Sequence, residues 1–319
     1  MLLKRLLQSR ALPRRPIVDL AYTIVKPATT DEKYLKREPV LITLHGLFGT
    51  KSMFGTFSKT LSDNLGYTVC NVDLRDHGAS PQAIPFDYVT LTKDLISFIK
   101  KRFGTQRQIN IIGFSLGGRV ALLSSLCNLV NINKCVSIDF PPYTIPRVDD
   151  VLTENFDSIL KIISREIKIT KGTKTWKKEL LNLLNELPAN KIDKGHPALY
   201  FANGFFLNSN NNLPFDKHLD KDPYIDFYLP LKQLPTILED VKIWPDLYGK
   251  DNSDHFFKTV TDRSVLFMRA LQSPFFTDDS SLLYKHFPRA KLVSFDCGHN
   301  MAFEKPKETV EYIVNYLKE

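Results

Sequence analysis

The pentapeptide Gly113–Gly117, with a serine at its centre, constrains the fold of this chain more than any other segment. Before it, residues 109–112 form an apolar run typical of a buried parallel strand, and after it residues 118–126 carry apolar side chains at helical spacing. The turn between them is so tight that large side chains on either side of the serine would meet neighbouring backbone, and glycine removes that clash. We therefore predict a strand–turn–helix unit that presents Ser115 as a nucleophile.

Length and charge exclude several other classes of protein. The chain has 319 residues, 43% hydrophobic and 24% charged, which is ordinary for a globular protein with a substantial core. The formal net charge is +8, but residues 1–16 carry +5 of it, and the remaining +3 is spread evenly. We therefore expect no nucleic-acid surface. No stretch approaches the roughly 18 uninterrupted apolar residues of a membrane span, so we expect no transmembrane segment.

Residues 1–16 are rich in arginine and leucine, contain no acid, and would be amphipathic as a helix. This is the composition of a mitochondrial presequence, although a disordered basic tail or a first helix of the domain would share it. We predict a presequence over residues 1–16 and mitochondrial localisation. The four cysteines stand in apolar strand or helix patterns without C-x-x-C spacing, which favours reduced core residues over a disulfide frame or a metal site.

Strands and helices alternate through most of the chain, which predicts one α/β domain over residues 17–319, built on a mostly parallel sheet with helices on both faces. The predicted strands are Ile17–Pro27, Val40–Leu44, Tyr67–Leu74, Gln108–Phe114, Lys134–Phe140, Ser264–Ala270 and Lys291–Phe295. The predicted helices between and after them are Lys51–Leu65, Val89–Phe103, Leu116–Leu129, Asp278–His286 and Lys307–Lys318. The rhythm breaks over about residues 141–262, a segment rich in lysine, asparagine and aromatic residues and too long for a simple crossover. We predict that it is a helical lid insertion that covers one face of the domain.

A serine nucleophile needs a base, and His299 is our candidate. It follows the last strand in a Gly-His turn, at the carboxyl edge of the sheet where ligands bind such folds. It also comes after the serine in chain order. The other histidines suit the role less well, because His196, His218 and His255 fall in the insertion and His286 is predicted on a surface helix.

The acid that orients the base has two candidate locations. The strand after the insertion has no acid at its end, and Asp278 and Asp279, which come later, look like helix N-caps. Asp139 ends the strand that follows the strand–turn–helix unit around Ser115, which we call the elbow. It stands before Pro141, and a carboxylate there could reach the histidine from a neighbouring strand end. We predict Asp139 as the acid, with Asp278 or Asp279 as the alternative.

Two loops are expected to support the nucleophile. The loop His45–Gly49 follows an early strand, and we predict that the backbone amides of Leu47 and Leu116 form the oxyanion hole, with His45 bracing the loop by hydrogen bonds. The string Asp73–Pro81 is predicted to be a pinned structural loop, although a direct substrate contact by His77 stays open.

Together, the His-Gly loop, the Asp73–Pro81 string, the elbow, Asp139 and Gly298-His299 resemble the α/β-hydrolase superfamily over about residues 17–319. Within it, the chain is similar to the fungal mitochondrial branch of yeast ethanol acetyltransferases and related hydrolases, in which the acid also follows the strand after the elbow. The elbow departs from that pattern at Phe114, where relatives often have histidine, so we expect altered packing beneath the nucleophile.

The resemblance implies an acetyl-enzyme on Ser115, with transfer of acetyl from acetyl-CoA to ethanol and hydrolysis when water is the acceptor. It implies small-molecule substrates and no separate cofactor or metal. A carboxylesterase or thioesterase without physiological transfer, and a non-catalytic binding scaffold, stay open as alternatives. Oligomeric state is not indicated by any pattern.

Overall fold

The computed structural model describes residues 14–28, 38–193, 196–209, 222–229, 234–277 and 279–319. Its centre is a seven-stranded sheet in the order β1-β3-β2-β4-β5-β6-β7, in which β1 runs antiparallel to β3 and every other pair is parallel. This confirms the predicted mostly parallel sheet. The strands are β1 Tyr22–Val25, β2 Val40–Leu44, β3 Thr68–Val72, β4 Ile109–Phe114, β5 Ile132–Ile138, β6 Ser264–Ala270 and β7 Lys291–Phe295.

Helices flank the sheet and fill the insertion. Those associated with the sheet are α1 Gly55–Leu65, α2 Tyr88–Phe103, α3 Leu116–Ser125, α9 Ser281–Tyr284, α10 Met301–Glu304 and α11 Pro306–Lys318. Those of the insertion are α4 Asp150–Ile163, α5 Trp176–Asn185, α6 Pro188–Ile192, α7 Pro197–Ser209 and α8 Leu234–Lys242. The insertion therefore leaves the sheet after β5 and returns to it at β6, as the break in rhythm predicts.

Burial explains why the central strands read as continuous apolar runs. Every residue of β2 and of β4 is buried, because both faces of a parallel sheet are covered by helices. The edge strand β7 is only partly buried and includes the exposed Lys291 and Ser294. The site described below lies at the carboxyl ends of β4 and β5, which are neighbouring strands in the buried centre of the sheet.

Predicted and observed boundaries differ mainly at the ends of helices. The predicted helix Lys51–Leu65 begins with a 3-10 turn, Lys51–Phe54, before α1, and the short helix α10 was not predicted. The prediction that His286 lies on a surface helix is wrong. His286 follows α9 and is buried, with its ring 5.9 Å from that of Trp244, and burial lowers its pKa. Part of the predicted helix at Asp278–His286, Asp278 itself, lies outside the described residues.

Residues 1–13 of the predicted presequence also lie outside the described residues, so the presequence stays a prediction. The described end of that segment contacts the domain, because the guanidinium of Arg75 donates to the backbone carbonyls of Arg15 and Pro16 at 2.8 and 3.3 Å. Within the described ranges, no helix combines the length and apolar character that a membrane span requires. All four cysteines are buried and free, as predicted.

Candidate active site

Ser115 sits at a strained turn between β4 and α3. Its backbone adopts φ 52° and ψ −119°, a conformation that non-glycine residues rarely occupy. A side-chain carbon added at Gly113 would lie 2.1 Å from the carbonyl oxygen of Gly117, and one added at Gly117 would lie 2.5 Å from that of Leu44. Both glycines are therefore required by packing, as the pentapeptide indicated, and the turn lifts Ser115 to the carboxyl edge of the sheet.

His299 and Asp139 meet at the same edge. The Nδ1 atom of His299 lies 2.7 Å from Oδ2 of Asp139, although 160 residues separate them in the chain. The other carboxylate oxygen of Asp139 accepts a hydrogen bond from the amide of Ala270 at 2.8 Å. Two bonds thus fix the carboxylate, and its acceptance from Nδ1 leaves Nε2 of the ring as the atom free to take a proton.

Asp139 is fully buried, and this sets its electrostatics. Burial raises the pKa of the carboxyl group above its usual value, while the hydrogen bond from His299 opposes that rise. A carboxylate in this position can stabilise positive charge that develops on the neighbouring ring during proton transfer. Asp139 also has a positive φ, 49°, at the point where β5 ends and the insertion begins.

Three phenylalanines surround the imidazole of His299. Its ring centroid lies 4.8 Å from Phe114, 4.6 Å from Phe275 and 6.3 Å from Phe140. They come from three different places, namely β4, the loop after β6 and the first residues of the insertion. Phe114 lies against the base as well as beside the serine.

The two backbone amides predicted to form the oxyanion hole are available as donors. Within the described part of the chain, the backbone N–H groups of Leu47 and Leu116 have no hydrogen-bond partner. The amide of Leu116 is in the first turn of α3, where helix geometry leaves N–H groups unpaired. His45 braces the loop as predicted, because its Nε2 accepts from the amide of Leu74 at 3.0 Å and its Nδ1 lies 2.8 Å from the carbonyl oxygen of Gly46.

The Asp73–Pro81 string is a pinned structural loop. Asp73 accepts hydrogen bonds from the amides of Lys51 and Ala79, and Arg75 forms a buried two-point ion pair with Asp94. His77 is fully buried and accepts from the amide of Phe48, and it does not line the cavity beside Ser115. A direct substrate contact by His77 is therefore not supported.

Ser115 and His299 open into one cavity, of about 520 Å³ including its mouth. Its walls are mainly apolar and come from both the sheet and the insertion. Tyr200 and Phe201 of α7 and Val241 of α8 face the serine across it, so the insertion covers the site. The hydroxyl of Tyr200 donates to the carbonyl oxygen of Leu47 at 2.6 Å, which ties the cover to the oxyanion loop.

The alternative acids do not reach this cavity. Asp279 is exposed and accepts a hydrogen bond from the amide of Ser281, as expected of a residue that caps a helix. Asp278 lies outside the described residues. Asp139 is therefore the acid that the described structure brings to His299. In the part of the chain that is described, no group of His, Cys, Asp or Glu side chains could hold a metal ion.

Sequence reasoning missed several residues of the site. Tyr200 reads as one more aromatic in an apolar segment, and Phe275 lies in a loop with no motif. Asn300 was passed over, although its place directly after His299 could have drawn attention to it. Arg119 has the pattern of an ordinary helix position, yet it is fully buried and donates to carbonyls at the start of the insertion and in α8.

Known proteins agree with this architecture. The chain matches the family described as alpha/beta hydrolase fold over residues 39–306. A probable alcohol acetyltransferase of Wickerhamomyces anomalus is 29% identical over 315 residues, covering 96% of this chain and 87% of the relative. Ethanol acetyltransferase 1 of Cyberlindnera fabianii is 26% identical over 330 residues, covering 96% of this chain and 88% of the relative.

Among solved structures, a marine microorganism esterase superposes with a TM-score of 0.71 at 21% identity, covering 94% of this chain and 99% of the other. At that identity the likeness concerns the fold alone. The family match, by contrast, spans well over half of the chain, and the sheet order and the elbow agree with it. This chain therefore belongs to the α/β-hydrolase fold family.

Proposed function

We propose that this protein is a serine-dependent alcohol O-acetyltransferase that makes ethyl acetate from acetyl-CoA and ethanol, with thioesterase and esterase side activity. The observation that carries the proposal is the His299–Asp139 hydrogen bond beside the elbow serine, in a mainly apolar cavity. The printed names of the yeast relatives, alcohol and ethanol acetyltransferase, support transfer to an alcohol over hydrolysis alone.

In the first half of the reaction, Nε2 of His299 takes the proton of the Ser115 hydroxyl as Oγ attacks the thioester carbonyl. The carbonyl oxygen gains negative charge, and the amides of Leu47 and Leu116 donate to it. The C–S bond then breaks, and His299 returns the proton to the departing thiolate. The products are an acetyl ester on Ser115 and free coenzyme A. Asp139 stabilises the imidazolium that exists between these two proton transfers.

In the second half, the acceptor alcohol loses its proton to His299 as its oxygen attacks the acetyl carbon. The bond between that carbon and Oγ breaks, the proton passes to Oγ, and ethyl acetate leaves. Water in the same position gives acetate. The ratio of ethyl acetate to acetate depends on which acceptor the cavity retains. Apolar walls over the serine lower the amount of water near the acetyl group and so favour the alcohol.

In this proposal acetyl-CoA is a substrate, and no bound cofactor or metal takes part. The basic leader supports a mitochondrial site of action. A plain carboxylesterase or thioesterase, and a non-catalytic scaffold, are the alternatives that an experiment should separate.

The test combines product analysis with active-site labelling. Labelled acetyl-CoA and ethanol should give labelled ethyl acetate with wild type, and Ser115→Ala should lose about 10³-fold or more in rate, because the acyl-enzyme can no longer form. A fluorophosphonate probe should label wild type and not Ser115→Ala. Labelled acetate with no ethyl acetate would show that the protein is a hydrolase and not a transferase. Equal labelling of both proteins would exclude Ser115 as the nucleophile.

A further inference from the structure

The turn that carries Leu47, the predicted oxyanion donor, has an unusual backbone conformation. The amide of Gly49 donates to the carbonyl of Gly46 at 3.0 Å, which closes a β-turn over residues 46–49. Phe48 stands at the third position of this turn with φ 66°. Turns with a positive φ at that position normally have glycine or asparagine there, so this phenylalanine is strained and its surroundings must hold it.

Hydrogen bonds fix the peptide group on each side of Leu47. Before it, Nδ1 of His45 donates to the carbonyl of Gly46 at 2.8 Å, since Nε2 of the same ring accepts from a backbone amide. The C=O and N–H of a trans peptide point in opposite directions, so this bond also sets where the N–H of Leu47 points. After it, the carbonyl of Leu47 accepts from the hydroxyl of Tyr200 at 2.6 Å. One peptide is thus held from the end of β2 and the next from the insertion.

The insertion makes further contacts to the same turn. The hydroxyl of Tyr228 donates to the carbonyl of Gly49 at 3.1 Å. Three aromatic rings of the insertion also lie near the buried ring of Phe48, with centroid distances of 6.2 Å for Phe156, 5.4 Å for Phe201 and 5.6 Å for Phe227. The insertion therefore holds the strained residue by its side chain and the turn by two of its carbonyls.

Both tyrosine hydroxyls are suited to this task. Tyr200 and Tyr228 are buried, and burial raises the pKa of each, so both stay protonated and act as donors. A side-chain carbon added at Gly46 would lie 3.0 Å from the hydroxyl oxygen of Tyr200, so the glycine gives that hydroxyl room to approach. The one hydroxyl proton of Tyr200 is used in the bond to Leu47, so Tyr200 acts on a reacting carbonyl through the turn and not by direct contact.

We propose that Tyr200 and Tyr228 are positioning residues of the oxyanion hole, an inference that rests on the proposed function. Their hydroxyls hold residues 46–49 so that the N–H of Leu47 can donate to the oxygen of the tetrahedral intermediate. Both hydroxyls come from the insertion, so the hole is complete only while the insertion covers Ser115. The cover thus contributes to catalysis as well as enclosing the substrate.

The first experiment removes each hydroxyl and measures hydrolysis of p-nitrophenyl acetate, which requires Ser115 but neither acetyl-CoA nor ethanol. Rates are expressed per active site, counted by complete labelling with a fluorophosphonate. Tyr200→Phe should lower kcat about tenfold or more and change KM by less than about twofold, because the turn stabilises the oxyanion and not the bound ester. Tyr228→Phe should lower kcat about threefold or more, since its bond is further from the donor.

The second experiment measures the oxyanion hole with a trifluoromethyl ketone inhibitor. Its carbonyl carbon bonds to Oγ of Ser115, the serine proton passes to Nε2 of His299, and the carbonyl oxygen becomes an oxyanion. The inhibition constant should rise in Tyr200→Phe by about the same factor as kcat falls. A purely structural role would instead lower the number of labelled sites and leave the inhibition constant unchanged.

Tyr316→Phe is the matched control. It also removes a buried hydroxyl with one hydrogen bond, to Oγ of Ser264 at 2.8 Å, but at the amino end of β6, away from the site. Its kcat per site and its inhibition constant should stay within about twofold of those of wild type.

An unchanged kcat per site or an unchanged inhibition constant in Tyr200→Phe would overturn the proposal. If Tyr200→Phe does not fold, as judged by circular dichroism, the same two measurements on Tyr228→Phe decide. If wild type hydrolyses the ester but makes no ethyl acetate, the transferase function fails, and the variants still decide the positioning role. A wild type without any hydrolysis that depends on Ser115 would reject the proposed function and this inference together.

Discussion

Three residues of the site hold backbone conformations that only their surroundings can enforce. Phe48, Ser115 and Asp139 have φ values of 66°, 52° and 49°, in the region that favours glycine. Each such residue costs on the order of 1 kcal/mol or more, and the cost is met by the packed sheet around it. The strained positions mark the carboxyl ends of β4 and β5, where Asp139 bonds to His299 and Ser115 lines the same cavity.

At this scale the proposed mechanism makes a prediction about charge. Asp139→Asn keeps the shape of the side chain but removes the charge that stabilises the imidazolium, and its amide can favour the wrong tautomer of His299. We expect kcat for p-nitrophenyl acetate to fall by about 10³- to 10⁴-fold with little change in the fold. Asp279→Asn, at the exposed alternative acid, should change kcat less than twofold. If Asp279→Asn lowered kcat strongly and Asp139→Asn did not, Asp139 would not be the acid.

At the scale of elements, one side chain connects the elbow helix to the insertion. The guanidinium of Arg119 on α3 donates to the carbonyls of Pro141 at 3.0 Å, Val241 at 2.9 Å and Lys242 at 3.0 Å, and also to that of Tyr143. Pro141 and Tyr143 lie at the start of the insertion, whereas Val241 and Lys242 lie at the end of α8. The guanidinium also lies 4.4 Å from the centroid of the Phe140 ring, which is part of the cavity wall. One buried charge thus joins the elbow helix to the start of the insertion and to the end of α8.

Removing that charge should loosen the cover. Arg119→Met leaves four buried carbonyl groups without their donor, and we expect a loss of about 3–5 kcal/mol in the free energy of unfolding. Urea denaturation measures this loss, and limited proteolysis should cut first within residues 141–262. Arg102→Met provides a matched control on the exposed face of α2, with an expected change within about 0.5 kcal/mol. Equal stability of the two variants would show that Arg119 does not anchor the insertion.

Sequence patterns predicted the sheet well because its signals are local. Apolar runs bounded by turn residues located β2, β6 and β7 to the residue, and chain order alone placed Ser115 and His299 at one edge. Asp139 required a further step, the absence of an acid after β6. The contacts of Arg119 and Tyr200 could not be predicted in this way, since each depends on partners far along the chain.

Contacts of the insertion were even harder to predict from local sequence patterns. Apolar residues run along the whole of α7, and no periodic pattern there says which face lies over Ser115. Tyr200 and Phe201 are neighbours in sequence and both line the cavity, while Leu199 beside them is 54% exposed. Only the packing of α7 against the sheet domain decides which of these side chains line the cavity and which face solvent.

For the whole molecule, the buried histidines predict how stability depends on pH. Burial lowers the pKa of His77 from 6.5 to about 3, and the nearby ring of His45 adds to this. Between those values the unfolded chain binds more protons than the folded one, so the contribution of His77 is complete above pH 6.5 and is lost as the pH falls toward 3. The loss is at most about 1.4 kcal/mol for each pH unit.

The comparison of wild type with His77→Gln isolates this contribution. Urea unfolding at pH 7.0, 5.5 and 4.5 should give a stability advantage of wild type that shrinks by about 1 kcal/mol for each pH unit below 6.5. Other groups titrate in both proteins, so their effects cancel in the difference. An advantage that stays constant over this range would contradict the assignment of His77 as a buried neutral ring.

The position of Asp139 after β5 has a consequence for how such a protein can diversify. The loop after β6 is left without the task of holding the carboxylate, and it contributes Phe275 to the wall around His299. The carboxylate that orients His299 and this part of the cavity wall therefore come from different loops. The loop after β6 can therefore change in sequence and reshape the cavity wall without moving the carboxylate of Asp139.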